Sequence, residues 1–188
     1  SAVPVLKKYG TKAIEFSGGG EPCMWPHFEE AVAYIKSYGI KTSLITNGVQ
    51  LYKNYSLNKS ENKTLSNKYS NVNKLSIDVL KNLAWVRISF QSLSHAKKID
   101  YDLLRKSGVK FSGSFIVPDG KTKQEEIKKL FEFCKEKNIT LRIGVQRPCT
   151  IEREQEIKDL VKEVGQPLFF SSKEPGSPMG CYMAWVRA

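Results

Sequence analysis

FSGGGEP, residues 16–22, follows without a break on KAIE, residues 12–15. Three successive glycines make a poor helix and a poor strand interior, because each loses more backbone entropy on ordering than any other residue. A strand-like run that ends in Gly18-Gly19-Gly20, with Glu21 and the rigid Pro22 behind it, implies that the chain passes very close to a ligand there.

Other strand-like runs recur along the chain: KTSLIT (41–46), AWVRISF (84–90), VKFSGSFIV (109–117) and ITLRIGV (139–145). Helical patterns separate them. Pro26 suits a first helical position, with Phe28, Val32 and Ile35 at helical spacing up to Gly39. Thr122 and Glu125 form a capping box ahead of Ile127, Leu130, Phe131 and Cys134. Thr150 caps a helix whose Ile157, Leu160, Val161 and Val164 share one face. Weaker helices fit 76–83 and 94–107. Alternating strands and helices predict βαβ units and a parallel sheet.

The interval between the second and third strands is too long for one crossover. Its surplus coincides with residues 52–74, where 15 of 23 residues are Asn, Lys or Ser, a composition that reads as a surface insertion. The expected organisation is therefore a core over 1–170 carrying that insertion. A turn-rich linker and the start of a further element then occupy 171–188.

Period-2 bookkeeping sorts the strands into two faces. One carries Ile14, Phe16, Val86, Ile88, Phe90, Phe111, Phe115, Val117, Leu141, Ile143 and Val145; the other carries Glu15, Ser17, Arg87, Ser89, Gln91, Ser112, Ser114, Thr140 and Arg142. A parallel sheet covered on both sides reads as near-continuous apolar runs, and a closed eight-stranded barrel is filled with branched aliphatics. Neither pattern is present. A polar face of this kind must meet water or a polar ligand, which predicts a curved, incompletely closed sheet with helices only outside. Ligand sites in such folds gather at the C-terminal ends of the strands. There the chain offers SGGGEP, Thr46-Asn47-Gly48, Gln91-Ser92, Pro118-Asp119-Gly120 and Gln146-Arg147-Pro148-Cys149.

At 188 residues this is one domain's worth of chain, able to bury roughly 70% of its unfolded surface. No run of 18 apolar residues is present, and the N-terminus lacks a signal-peptide layout, so no membrane role and a cytoplasmic location are expected. Lys and Arg number 30 against 19 acids, for a net charge of +11. Twenty-four of the 30 are Lys and are spread along the chain, which reads as a solvated surface, with nucleic-acid binding as the alternative. Cys23, Cys134, Cys149 and Cys181 show no CxxC or CxxxC spacing, and a reducing compartment is the default. Cys23 and Cys134 read as packed thiols, Cys149 as a thiol on the rim behind Pro148 that is packed in preference to facing a substrate, and His27 and His95 as surface residues near helix starts. Nucleotide fingerprints of the GxxxxGK[ST] and GxGxxG kinds are missing.

Together SGGGEP, ITNG (45–48), WVRISFQS (85–92), GSFIV (113–117) and LRI (141–143) resemble, in order, motifs of the radical S-adenosylmethionine family. The resemblance covers roughly residues 11–165. It implies a partial (β/α)6 barrel, TIM-barrel-like, that holds S-adenosylmethionine against a 4Fe-4S cluster. Cleavage of the sulfonium then yields a 5′-deoxyadenosyl radical that abstracts a substrate hydrogen. It further implies cofactor-binding roles for Gly18, Gly19, Gly20, Glu21 and Pro22, with Ser89 and Arg142 as candidates for the ribose or carboxylate, and Thr46, Asn47 and Ser114 as weaker ones. Such enzymes draw electrons from a donor such as flavodoxin or ferredoxin. Substrates across the family include peptides, tRNA and small molecules, and nothing in this chain selects among them.

The family's CxxxCxxC cluster loop follows its first strand, yet no Cys precedes Gly18 here. The first βα unit is expected to lie outside this chain, which starts in mid-element without Met; the cluster ligands would lie there too. Cys181 in MGCYMAW resembles the opening cysteine of auxiliary-cluster extensions of the SPASM or twitch type, which would imply an auxiliary Fe–S cluster. Two rival readings remain open. One is a non-catalytic or RNA-binding α/β module with a basic surface; the other is a sugar-phosphate enzyme with phosphate on the Gly18–Gly20 amides.

Overall fold

A computed structural model describes residues 2–55, 74–117, 124–146, 149–165 and 167–170. Helix α1 (Val3–Lys8) leads into strand β1 (Ala13–Phe16), followed by α2 (Phe28–Ser37) and β2 (Lys41–Thr46). Then come α3 (Ile77–Asn82), β3 (Leu83–Phe90), α4 (Leu93–Lys98), α5 (Tyr101–Ser107) and β4 (Lys110–Val117). Helix α6 (Gln124–Glu136), β5 (Leu141–Val145), α7 (Ile151–Val164) and β6 (Leu168–Phe170) complete the order. Among the described residues, six strands form one sheet in sequential order, all pairs parallel, and β1 and β6 are not paired with each other.

Side-chain oxygens define the helix starts. Ser76 accepts the Val79 N–H, Ser92 that of His95, Asp100 that of Leu103 and Thr150 that of Arg153, each satisfying a donor that the first turn leaves open. Pro26, expected as a first helical residue, lies outside α2, which begins at Phe28 after an N-cap His27 that makes no capping bond. The Thr122 cap and the 171–188 tail fall outside the described residues, as does 56–73 of the insertion.

One sheet face and the inner stripes of the helices share a single core. Leu44, Val86, Ile88, Phe90, Phe115, Leu141 and Ile143 are buried against Phe28 and Val32 of α2, Ile127, Leu130, Phe131 and Cys134 of α6, and Ile157 and Leu160 of α7. Gly113 is part of this packing: a Cβ there would collide with the Phe90 ring and stand 2.8 Å from Leu141 Cδ1. The other face is only partly covered. Arg87, Ser89, Ser112, Ser114 and Arg142 are half-buried, and Ile116 is 58% exposed. Helices thus cover one face, as the alternation predicts, although Ile45 and Trp85 interrupt the polar side. Strand β6 was not expected from the sequence: its LFF run is three residues long, too short to show a period.

Candidate functional site

Because all strands run parallel, the segments after Phe16, Thr46 and Phe90 meet on one rim. The first is the glycine run. Gly18, Gly19 and Gly20 have φ of 69°, 65° and 127°, and no atom lies within 4 Å of the place a Cβ would take on any of them. The third value is closed to side-chain-bearing residues, so the sequence needs glycine here for backbone shape, and the open space leaves peptide groups accessible. No bulky side chain fills the position beside Gly19.

Glu21 ends that run and joins it to the next loop. Its Oε1 accepts the Thr46 hydroxyl at 2.6 Å and the Cys23 N–H at 3.2 Å, while Oε2 accepts the Asn47 N–H at 2.6 Å. Thr46, 2% exposed, in turn accepts the Gly48 N–H at 3.0 Å, and Asn47 Oδ1 accepts the Val49 N–H at 2.9 Å. Gly48 takes φ 79°, and a Cβ on it would stand 2.7 Å from Ile88 Cγ2 and 2.9 Å from Ile99 Cδ1. Charge-assisted bonds of this length are the strong class, so the carboxylate fixes the two loops to each other. Cys23 is buried beneath it. Desolvation, then the Glu21 charge, push that thiol's pKa far above its ordinary range, consistent with a packing role.

His95 extends the linkage to α4. Expected at the surface, it is 6% exposed, and its Nε2–H donates to the Asn47 carbonyl at 2.8 Å. Its Nδ1 is buried without a partner among the described residues, and the ring packs edge-on to Tyr52 and Phe90 at centroid distances of 5.6 and 6.2 Å. Burial lowers its pKa below the usual histidine range; the Asn47 carbonyl opposes the shift and Lys98 adds to it. A helix of six residues shows too little apolar period for the sequence to reveal its inner face. His27 is at the surface, as expected, with Nδ1 3.1 Å from Glu30 Oε2.

On the sheet face below the rim, Ser89, Ser114 and Arg142 are register neighbours across β3, β4 and β5. Arg87 sits with its guanidinium 5.1 Å from the Trp85 ring centroid. Glu15 on the edge strand is exposed, and Thr140 precedes β5 and is exposed as well. Pro22 opens the short 3-10 turn Pro22–Met24. The site residues expected from sequence thus form two groups: Gly18–Pro22 with Thr46 and Asn47 on the rim, and Ser89, Ser114 and Arg142 on the open face. Pro118-Asp119-Gly120 and Arg147-Pro148 lie outside the described residues, as does Cys181. Cys149 is half-buried, its thiol 3.5 Å from the Thr150 carbonyl. Among the described residues no group of three or more His, Cys, Asp or Glu is placed to hold a metal ion, and no helix is long and apolar enough to cross a membrane.

No protein-family model matches the chain, and no curated protein matches it. Among solved structures it is similar to type I 3-dehydroquinate dehydratase from Clostridium difficile carrying covalently modified comenic acid. Identity is 16%, with 89% of this chain and 66% of that one covered and a TM-score of 0.51. TYW1 with a lysine-pyruvate adduct bound follows at 15% identity, 87% and 56% coverage and a TM-score of 0.46; archaeal TYW1 stands at 14%, 87%, 57% and 0.48. The chain therefore spans between 56% and 66% of the length of these three. What the first likeness supports is the fold: α/β and TIM-barrel-like, with the sheet left unclosed between β1 and β6 among the described residues.

Proposed function

We propose that this chain is the core of a radical S-adenosylmethionine enzyme and that the rim binds the methionine end of that cofactor. One observation carries the reading. A glycine run with accessible peptide groups is locked by Glu21 onto the Thr46-Asn47-Gly48 loop, at the C-terminal rim of an open parallel sheet. Peptide carbonyls of Gly18–Gly20 suit an ammonium, and the residual acceptor capacity of the Glu21 carboxylate adds a charge of the right sign. Thr46 acts through Glu21: its hydroxyl is spent on the carboxylate and on the Gly48 N–H. Ser89, Ser114 and Arg142 line the adjoining face as hydroxyl and guanidinium partners for ribose and carboxylate.

When bound, S-adenosylmethionine supplies a carbon–sulfur bond that opens on one-electron reduction, the start of hydrogen abstraction from a substrate. The described residues do not fit a 4Fe-4S cluster. Cys23 and Cys134 are buried separately, and the four cysteines have no cluster spacing.

The test is saturation-transfer NMR of the 188-residue chain with S-adenosylmethionine, S-adenosylhomocysteine and inorganic phosphate in turn. The reading expects saturable binding of the first two at one site, lost in Gly19→Val. Phosphate displacing both would establish the sugar-phosphate reading instead, and equal binding by parent and variant would remove the rim as the site.

A further inference from the structure

A cavity opens at the end of the sheet opposite the glycine rim. It measures about 720 Å³ and is bounded by the first residues of β1 to β4 and the C-terminal ends of α2 and α3. Four lysines line it (Lys36, Lys41, Lys81 and Lys110), and no carboxylate does. Two of them have local explanations. Lys36 lies in the last turn of α2 and donates to Asn82 Oδ1 at 2.7 Å; Lys81 lies in the last turn of α3 and stands 3.7 Å from Asp78. Cations near helix C-termini are favoured by the exposed carbonyls.

Lys41 and Lys110 have no such account. They open β2 and β4, and neither has an acidic partner among the described residues. Both line the cavity: Lys110 is the register partner of Trp85, which also pairs with Ser43, and Lys41 lies two residues before Ser43 on β2, past a register shift between Thr42 and Ser43. The half-buried Trp85 also lines the cavity, with Arg87 against its ring. Cations gathered around an indole without a counter-charge repel one another, and a bound anion relieves that repulsion. The indole adds a stacking surface.

We propose that this cavity is a nucleotide site, with phosphate held by Lys41 and Lys110 and the base against Trp85. Its volume lies in the range of small-molecule sites. An acidic peptide would neutralise the lysines but leave the indole unused. The chain's own segment 171–188 has the wrong sign, carrying Lys173 and Arg187 against Glu174 alone. The nucleotide can be free or part of a single RNA strand, since phosphate and base are the same chemistry in both. The site is independent of the glycine rim.

Fluorescence anisotropy of a labelled ten-nucleotide oligoadenylate, titrated with the full chain at several salt concentrations and in competition with AMP, tests it. Lys41→Ala/Lys110→Ala should raise Kd at least tenfold and flatten the slope of log K against log salt by about 1.4, two phosphates at roughly 0.7 each for a single strand. Trp85→Leu should weaken binding and leave that slope unchanged. Gly19→Val should change neither, which separates this site from the rim. AMP competing fully marks a free-nucleotide site; RNA bound without AMP competition marks a strand site. The proposal is overturned if the double-lysine variant binds like the parent while its thermal melt is unchanged, if neither probe binds at 50 mM salt, or if a poly-glutamate peptide displaces both as effectively as AMP.

Discussion

The Glu21 carboxylate accepts the Asn47 backbone N–H at 2.6 Å, across 26 positions of sequence. With the Thr46 hydroxyl on its other oxygen, this side chain makes two separate loops one unit. Removing it strands buried donors, the costly half of losing a hydrogen bond. Glu21→Ala should destabilise the chain by about 2–3 kcal/mol, and Glu21→Gln, which keeps an acceptor but turns an N–H toward one of the donors, by about 1–2 kcal/mol. Urea denaturation reads both. A Glu21→Ala variant as stable as the parent would mean that the brace holds nothing.

His95 carries a pH dependence of defined sign. Its folded-state pKa is depressed, chiefly by burial, so between the ordinary value of 6.5 and the folded one the unfolded chain holds more protons. The contribution of neutral His95 is fully present above pH 6.5 and is lost as pH falls below it. One such group adds a slope of at most about 1.4 kcal/mol per pH unit. His95→Gln, which keeps an N–H for the Asn47 carbonyl, should flatten stability against pH in that window relative to the parent. Equal slopes would show that His95 does not titrate on unfolding.

Much of this arrangement was legible before the structure. The polar and apolar faces could be read because a strand's side chains alternate strictly, so Ser89, Ser114 and Arg142 fell on one face and proved to be register neighbours. The glycine run announced its own backbone. The brace was not legible, since nothing local in Glu21 or in Thr46-Asn47 says that loops 25 residues apart will touch. Nor was the interior position of His95, whose short helix has one buried turn, or β6, whose three residues carry no period. Trp85 and Ile45 on the open face escaped because bookkeeping by polarity passes over the apolar members of a mixed face.

Thiol reactivity should divide by burial. Burial pushes the Cys134 thiol up to about 12, and Cys23 is driven higher still by burial and the Glu21 charge. The thiolate is the reactive form, so both should resist labelling in the folded chain. In a Cys149→Ser/Cys181→Ser variant, native protein should show almost no reaction with a disulfide reagent at pH 8, and unfolding should release two thiols. Fast native labelling of either would contradict its burial in the core.

Glycine replacements separate ligand space from packing space. At Gly113 an added methyl meets the Phe90 ring and Leu141 Cδ1, so Gly113→Ala should cost about 1–3 kcal/mol through overpacking. At Gly20 the surroundings are open but φ is 127°, so Gly20→Ala should cost a similar amount through backbone strain alone. Gly19 is different: φ 65° is the left-handed region that Asn tolerates, and the space around it is empty. Gly19→Asn should therefore lose no more than about 1 kcal/mol, a fall in Tm of roughly 2–4 °C for a chain of this size. If the open space is where S-adenosylmethionine lies, the same variant should bind it at least tenfold more weakly. Full binding by Gly19→Asn together with a preserved melt would place the ligand elsewhere, because a side chain that the fold accepts and the ligand ignores cannot share the ligand's volume.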